Sequence, residues 1–491
     1  MSSAMQSRTR RAVLAAALVT VASVAGASAA AQEPLTLERA VQLAQEQGYQ
    51  GRAALAARDA ARFRDRAFYA GFLPRLSVGG TLPRYNRAII PVVQPDGSTL
   101  FRPQNQTDAD LTASVTQRLP TGGDLFVQSS LATFSISGDQ SVHTWSSTPV
   151  SLGIRQSLFQ PNTYALDRRE RPIVTDLAER QYLAAREELA GQTTNLFFDV
   201  YSAGVALRNA TANAAVNDTL YTLNKGRFEV GKIGENDLLQ SELALLRART
   251  AADAAKLEYS RAEAALRLAI NLPEPAPLNL VIPVGTPEYV PDTAVAVTQA
   301  ARNGASAVSV ALNTVQADRR VSEAKLNNGF NATLQASIGF NATASDVGLA
   351  YQNLLQARQA TVSVELPLFT WGSGSNAVKA AESDREQVAN LGHSTIEQAA
   401  QSERFAALQL PLARRNLALS AKADTVAAKR FEVAYNRYVI GRIAIDNLYL
   451  AQSEKDQASV QYLQALRGYW LAHYRLRALT LYDFQTGKQI Q

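Results

Sequence analysis

Three histidines, two methionines and no cysteine bound the metal and nucleophile chemistry open to this chain. His143, His393 and His473 lie far apart. The latter two sit on helix-forming stretches with no second ligand at i+4, so no zinc-type pair is spelled out. Without cysteine there is no thiolate ligand, thiol nucleophile or disulfide framework. Met1 and Met5 both fall in the first thirty residues, which argues against a route dedicated to soft metal ions. Gly372-Ser373-Gly374 follows a strand pattern, but no Lys-Ser/Thr comes after it, so it reads as a turn into a helix and not a phosphate loop. His143 stands near Asp139 and Ser141 in a polar segment that lacks a nucleophile elbow. No catalytic site assembles, and the expectation is a non-enzyme with no cofactor and no metal.

The elements around these residues say more. Arg8, Arg10 and Arg11 precede an apolar run, Ala12 to Gly26, and small-residue cleavage sites at Ala27-Ser28-Ala29 and Ala29-Ala30-Ala31. Residues 1–31 therefore read as a secretory signal peptide. With no cysteine to follow it, a lipid anchor is not expected. The formal charge of +6 includes these three arginines and no acids from the leader, which leaves +3 for the remainder. That is too balanced to suggest a nucleic-acid partner. After the leader no run of 18 apolar residues exists, so an exported chain of this kind is either soluble or a β-barrel.

The chain repeats itself. RFEVGKIGENDL at 227–238 and RYVIGRIAIDNL at 437–448 align at an offset of 210, as do Leu158-Phe159 and Leu368-Phe369. Two copies make a duplication and not a solenoid. Repeat 1 covers 32–285 and repeat 2 covers 286–491. Each runs helix, strands, long helix, turn, helix. The helices are expected at 36–69, 163–229 and 235–270, then at 292–327, 375–439 and 446–480, on their Leu, Ala, Gln, Glu and Arg content. A helix of about 67 residues spans about 100 Å, which no compact core requires. Two shorter helices end to end match that length. The sequence order suggests stacking 235–270 on 292–327 and 446–480 on 36–69, to give a wall of antiparallel coiled-coil rods. Pro411 should kink or break one rod.

Between the helices, at 72–158 and 331–369, apolar and polar residues alternate. Leu76 and Val78 alternate with Arg75 and Ser77, and Val362 and Val364 with Thr361 and Ser363. Such alternation over 9–11 residues fits a transmembrane strand, and also a half-buried sheet in a soluble protein. The placement at one end of the rods, in both halves, favours the membrane. An extra pair, 109–119 and 123–134, is joined by Pro120-Thr121-Gly122. Polar segments 83–106 and 135–147 read as loops.

At this point the sequence resembles the TolC-like outer-membrane efflux protein family over essentially all of the chain after the leader. The carrying residues are LTLERAVQLA (35–44), GFLPRLSVGG (71–80), QSLF (156–159), LPLF (366–369), NLFFDVYSA (195–203) and the duplicated motif at 227–238 and 437–448. The resemblance implies a mixed α+β membrane protein. It would be a homotrimer, with strands pooled into one transmembrane β-barrel in outer-membrane lipid and helices forming a periplasmic tunnel. The family has four strands per chain and a twelve-stranded barrel. Residues 109–134 depart from that. They are either two more spanning strands, eighteen in a trimer, or a hairpin or loop above the membrane, and the family's count favours the second.

By the same resemblance, the turns holding Gly231, Lys232, Ile233, Gly441, Arg442 and Ile443 form the periplasmic tip. There a periplasmic adaptor would dock and link the channel to an inner-membrane pump. The glycines are equally explained as helix C-caps. The family's gate acids, one turn beyond the second tip glycine, are replaced here by Asn447 and Leu450. Glu235, Asp237 and Asp446 remain as candidate gate carboxylates. The function implied is a passive exit duct of a tripartite efflux or type I secretion system. The alternative is a soluble periplasmic coiled-coil scaffold.

Overall fold

The computed structural model describes residues 34–93, 95–137, 141–273, 278–283, 285–440 and 442–491. The proposed signal peptide, Asp139 and Gly441 lie outside them. Eight α-helices and one six-stranded sheet make up most of what is described.

The helices are α1 (Leu37–Glu46), α2 (Tyr49–Ala70), α3 (Thr163–Glu229), α4 (Glu235–Ile270), α5 (Thr293–Asn303), α6 (Ala305–Asn327), α7 (Ser373–Val439) and α8 (Ile445–Thr480). Both α3 and α7 have 67 residues, and both α4 and α8 have 36. Helix α3 contains Pro172 and α7 contains Pro411, and both helices continue through them. Of the kink or break expected at Pro411, the break does not occur. The neighbouring Leu410 is 1% exposed in the main apolar cluster, so tertiary packing holds the segment helical.

The helices expected at 36–69 and 292–327 are each divided. Thr36 caps α1, its side chain accepting from the Arg39 N–H, and α2 restarts after Gly48. Gly304 separates α5 from α6. Glycine is required at these breaks because backbone passes too close for a side chain. A Cβ on Gly48 would lie 2.4 Å from the carbonyl oxygens of Ala44 and Ala269. One on Gly304 would lie 2.5 Å from the Ala300 oxygen.

Those contacts also correct the stacking. Gly48 meets the end of α4 at Ala269, and Gly304 approaches the end of α8 at the Leu479 oxygen. The composite rods are therefore α4 with α2 and α8 with α6, each within its own half, and not across halves. The reason is that each pair lies along one long helix. Arg62 of α2 and Arg249 of α4 both bridge to α3, at Glu179 and Asp218. Lys325 of α6 and Glu454 of α8 both bridge to α7, at Glu382 and Arg430. The main core lies where the rod segments meet. Leu37, Ala44, Phe197, Phe198, Leu266, Ile270, Tyr469 and Leu476 are fully buried there.

The sheet strands are β1 (Arg75–Val93), β2 (Thr99–Arg118), β3 (Asp124–Ser137), β4 (Val142–Leu158), β5 (Asn331–Ala344) and β6 (Leu355–Glu365). They pair antiparallel in sequence order. The expected polar loop at 83–106 is a correction: most of it is β-hairpin, with Arg84 to Val93 paired to Thr99 to Asp108. Likewise most of 135–147 is strand. Polar composition misled here, because backbone pairing needs no apolar side chain. Pro83 and Pro149 sit at register shifts, where a missing N–H leaves the ladder intact elsewhere.

The extra pair, β2 and β3, lies in the middle of the sheet. Residues 109–134, expected either as two more spanning strands or as a hairpin or loop above the membrane, thus pair with the strands on both sides. Leu76, Val115, Val127, Leu152 and Ile338 stand in one cross-strand row, ending at Arg358 on β6. The next row reads Ser77, Ser114, Gln128, Ser151 and Gly339. One face is mostly apolar and the other polar, through all six strands.

Candidate functional site

Two ends of the rods are candidate sites. At the far end from the sheet, α3 turns into α4 and α7 into α8. Gly231 has φ +70°, the left-handed conformation that favours glycine. Its N–H donates to the Phe228 oxygen at 2.8 Å, and the Lys232 N–H to the Arg227 oxygen at 2.8 Å. This pairing is a Schellman motif, which satisfies the last carbonyls of α3. The Arg442 N–H makes the equivalent bond to the Arg437 oxygen at 2.9 Å.

Lys232 and Arg442 are exposed, as are Gly231, Glu235, Asp237, Asp446 and Asn447. Ile443, half-buried, packs on a small cluster of Leu220, Tyr438 and Leu448 that ties the two hairpins together. Ile233 is also half-buried. The tip thus presents cations over an apolar seat. Glu235 and Asp237 lie in the first turn of α4 and Asp446 in that of α8, where helix N–H dipoles favour negative charge.

The structure joins Asp446 to the other hairpin through a residue the sequence did not single out. Gln240 Nε2 donates to Asp446 Oδ1 at 3.0 Å. Tyr438 Oη similarly donates to Asn224 Oδ1 at 3.4 Å, linking α7 to α3. Burial, with Tyr438 and Asp446 nearby, pushes the Tyr449 hydroxyl up to about 12. Gln240 and Tyr449 also line a polar groove of about 880 Å³ with Asn217, Arg247, Asp456 and Gln464. No motif announces these residues, because their partners come from the other repeat.

The histidines stay separate. His143 and His393 are exposed. His473 is buried, with Nδ1 2.9 Å from the Tyr289 hydroxyl, and burial lowers it to about 4. Gly372, at φ +81°, starts α7 as its N-cap residue. Among the described residues no cluster of three His, Asp or Glu side chains could hold a metal ion.

At the other end is the sheet, with edge strands β1 and β6 unpaired on their outer sides among the described residues. Its apolar face is open: Leu76 is 71% and Ile338 45% exposed. Phe159, Phe369 and Trp371 stand exposed where strands give way to helices. Among the described residues no helix is long and apolar enough to cross a membrane.

No family model and no curated protein matches the chain. Solved structures do match. The CmeC outer membrane channel of Campylobacter jejuni superimposes with a TM-score of 0.65 at 17% identity, over 93% of this chain and 86% of that one. The outer membrane protein VceC of Vibrio cholerae gives 0.62 at 13% identity, over 93% and 97%. The MtrE outer membrane channel of Neisseria gonorrhoeae, in its open state, gives 0.60 at 16% identity, over 90% and 88%. The fold is thus that of the TolC-like outer-membrane channels, the family the motifs resemble.

Proposed function

We propose that this chain is one protomer of an outer-membrane exit duct. Three copies pool their strands into a barrel in outer-membrane lipid and their rods into a periplasmic tunnel. The duct passively carries cargo handed over by an inner-membrane pump, in a tripartite efflux or type I secretion system. A periplasmic adaptor docks at the tip, on Lys232, Ile233, Arg442 and Ile443 beside Gly231 and Gly441. Glu235, Asp237, Asp446 and Asn447 surround the aperture.

One observation carries this reading: a sheet with an apolar face, a polar face and two edges unpaired among the described residues, at the end of rods about 100 Å long. A free edge is untenable in lipid, so the sheet must close on other copies. The same fold in channels from three other bacteria supports it.

The test is fractionation followed by planar-bilayer recording. The expected result is a heat-modifiable trimer, extracted by detergent from outer membranes, that forms pores. Recovery of a soluble periplasmic protein would sink the duct and favour the scaffold alternative.

A further inference from the structure

The inserted hairpin is where this chain departs from a four-stranded contribution. It is held on both sides: β2 pairs with β1 over Arg75 to Val93, and β3 pairs with β4 over Asp124 to Ile136. The side-chain packing continues across the junction. Phe126 of β3 lies over Gly153 of β4, where a Cβ would come within 2.3 Å of the ring. The aromatic ring covers the glycine's bare backbone. The apolar row also passes through Val115 and Val127 without a break. A hairpin standing above the membrane would have no use for an apolar face in register with its neighbours.

We propose that the hairpin spans the membrane, so that three protomers close an eighteen-stranded barrel wider than a twelve-stranded one. This rests on the duct reading above. Strand parity permits it. Six antiparallel strands leave β1 and β6 running in opposite directions, so β6 of one copy meets β1 of the next antiparallel. Adding a pair of strands preserves that closure, whereas adding one strand would not. With strands about 4.8 Å apart and tilted about 40°, twelve strands close at a backbone diameter of about 24 Å and eighteen at about 36 Å. Side chains reaching about 5 Å inward leave a bore of about 26 Å in place of about 14 Å. The polar row of Ser77, Ser114, Gln128 and Ser151 lines that bore with neutral hydrogen-bonding groups. The outer-membrane segment then admits hydrated cargo of polypeptide or oligosaccharide width, and selection by size falls to the tip.

The chain has no cysteine, so single cysteines report on their own. The experiment uses the full chain in native outer membranes, treated from outside with a membrane-impermeant maleimide. Leu111→Cys and Leu131→Cys lie on the apolar face of the hairpin, and Thr112→Cys and Ser130→Cys on the polar face. The expected result is labelling roughly tenfold slower on the apolar face, matching the control Ile338→Cys. Equal rates on the two faces, fast or slow, would overturn the proposal while leaving the duct intact. Loss of the protein from the outer membrane would instead remove the duct reading. Width is read separately, by exclusion of graded polyethylene glycols from the cell-surface side. Deleting 99–137 should lower the size cut-off, and an unchanged cut-off in a deleted chain that still forms trimers would refute the wider bore.

Discussion

Asn162 Nδ2 lies 2.8 Å from the Pro120 carbonyl oxygen and donates to it, while its Oδ1 accepts from the Ala165 N–H at 3.1 Å. One side chain thus caps the first long helix and holds the turn of the inserted hairpin. That turn is three residues, Pro120, Thr121 and Gly122, closed by Leu119 N–H to the Gly123 oxygen at 2.8 Å, with Gly122 at φ +89°. It is the type I turn plus glycine bulge that three-residue hairpins favour. The added strands are therefore tied to the rod as well as to the sheet.

Asn162→Ala removes both bonds and should cost about 1–2 kcal/mol. Asn162→Asp keeps the helix cap and a favourable charge, and loses only the donor to Pro120. Its cost should be smaller. Thermal melting of the purified protein orders the two variants, and an equal loss would show that the helix cap contributes nothing.

How much of this was legible depended on where a residue's partner lies. Helix-forming composition located α3 and α7, since their signal is local. Gly48 and Gly304 divide rods that composition reads as continuous, because the reason for glycine there is the approach of Ala44 and Ala300, and of Ala269 far along the chain. The stacking of α2 on α4 was illegible for the same cause. Residues 83–106 read as loop because hydrogen-bonded pairing leaves no mark on a polar sequence. At the tip, Asp446 was visible as an acid in a first turn, but its partner Gln240 was not.

The tip can be separated into scaffold and surface. Gly231→Val forces a β-branched residue into φ +70° and should cost about 1–3 kcal/mol, read as faster amide exchange in the last turn of α3. Lys232→Glu and Arg442→Glu reverse exposed charges whose side chains bond nothing among the described residues. They should leave melting unchanged and reduce cross-linking to the proposed periplasmic adaptor. Unaltered cross-linking would remove these cations from the docking surface.

Asp237→Asn together with Asp446→Asn should raise conductance in planar bilayers if carboxylates narrow the aperture. The Asp446 change also weakens the bond from Gln240, which loosens the link between the two hairpins. Loss of first-turn charge costs about 0.3–1 kcal/mol per helix, too little to unfold the tip. A double variant with the parent's conductance and cation preference would rule out a gate at these positions.

Arg477 grips Glu187 with two bonds, Nε to Oε2 at 2.7 Å and Nη2 to Oε1 at 3.1 Å, and reaches Asp483 at 3.2 Å. Glu187 is 5% exposed. Arg477→Met strands its carboxylate and should cost about 3–5 kcal/mol, whereas adding Glu187→Met should restore most of the loss. Calorimetry on the single and double variants decides this, and additive losses would contradict it.

Glu403 is buried on α7 beside a cavity of about 760 Å³ that Glu187, Glu188, Tyr474 and Arg475 also line. Burial pushes its carboxyl up to about 7, from an ordinary 4.5. The folded chain therefore keeps this proton longer than the unfolded chain does. Its contribution to stability is whole below about pH 4.5 and is lost as pH rises through 7. His473, held low at about 4, works the other way, because the unfolded chain protonates it first as pH falls below 6.5. Comparing wild type with Glu403→Gln cancels the histidine. The variant should gain melting temperature relative to wild type at pH 8 and show no such gain at pH 4.5. A pH-independent difference would mean that Glu403 titrates alike in the folded and unfolded chains, and would overturn the upward shift.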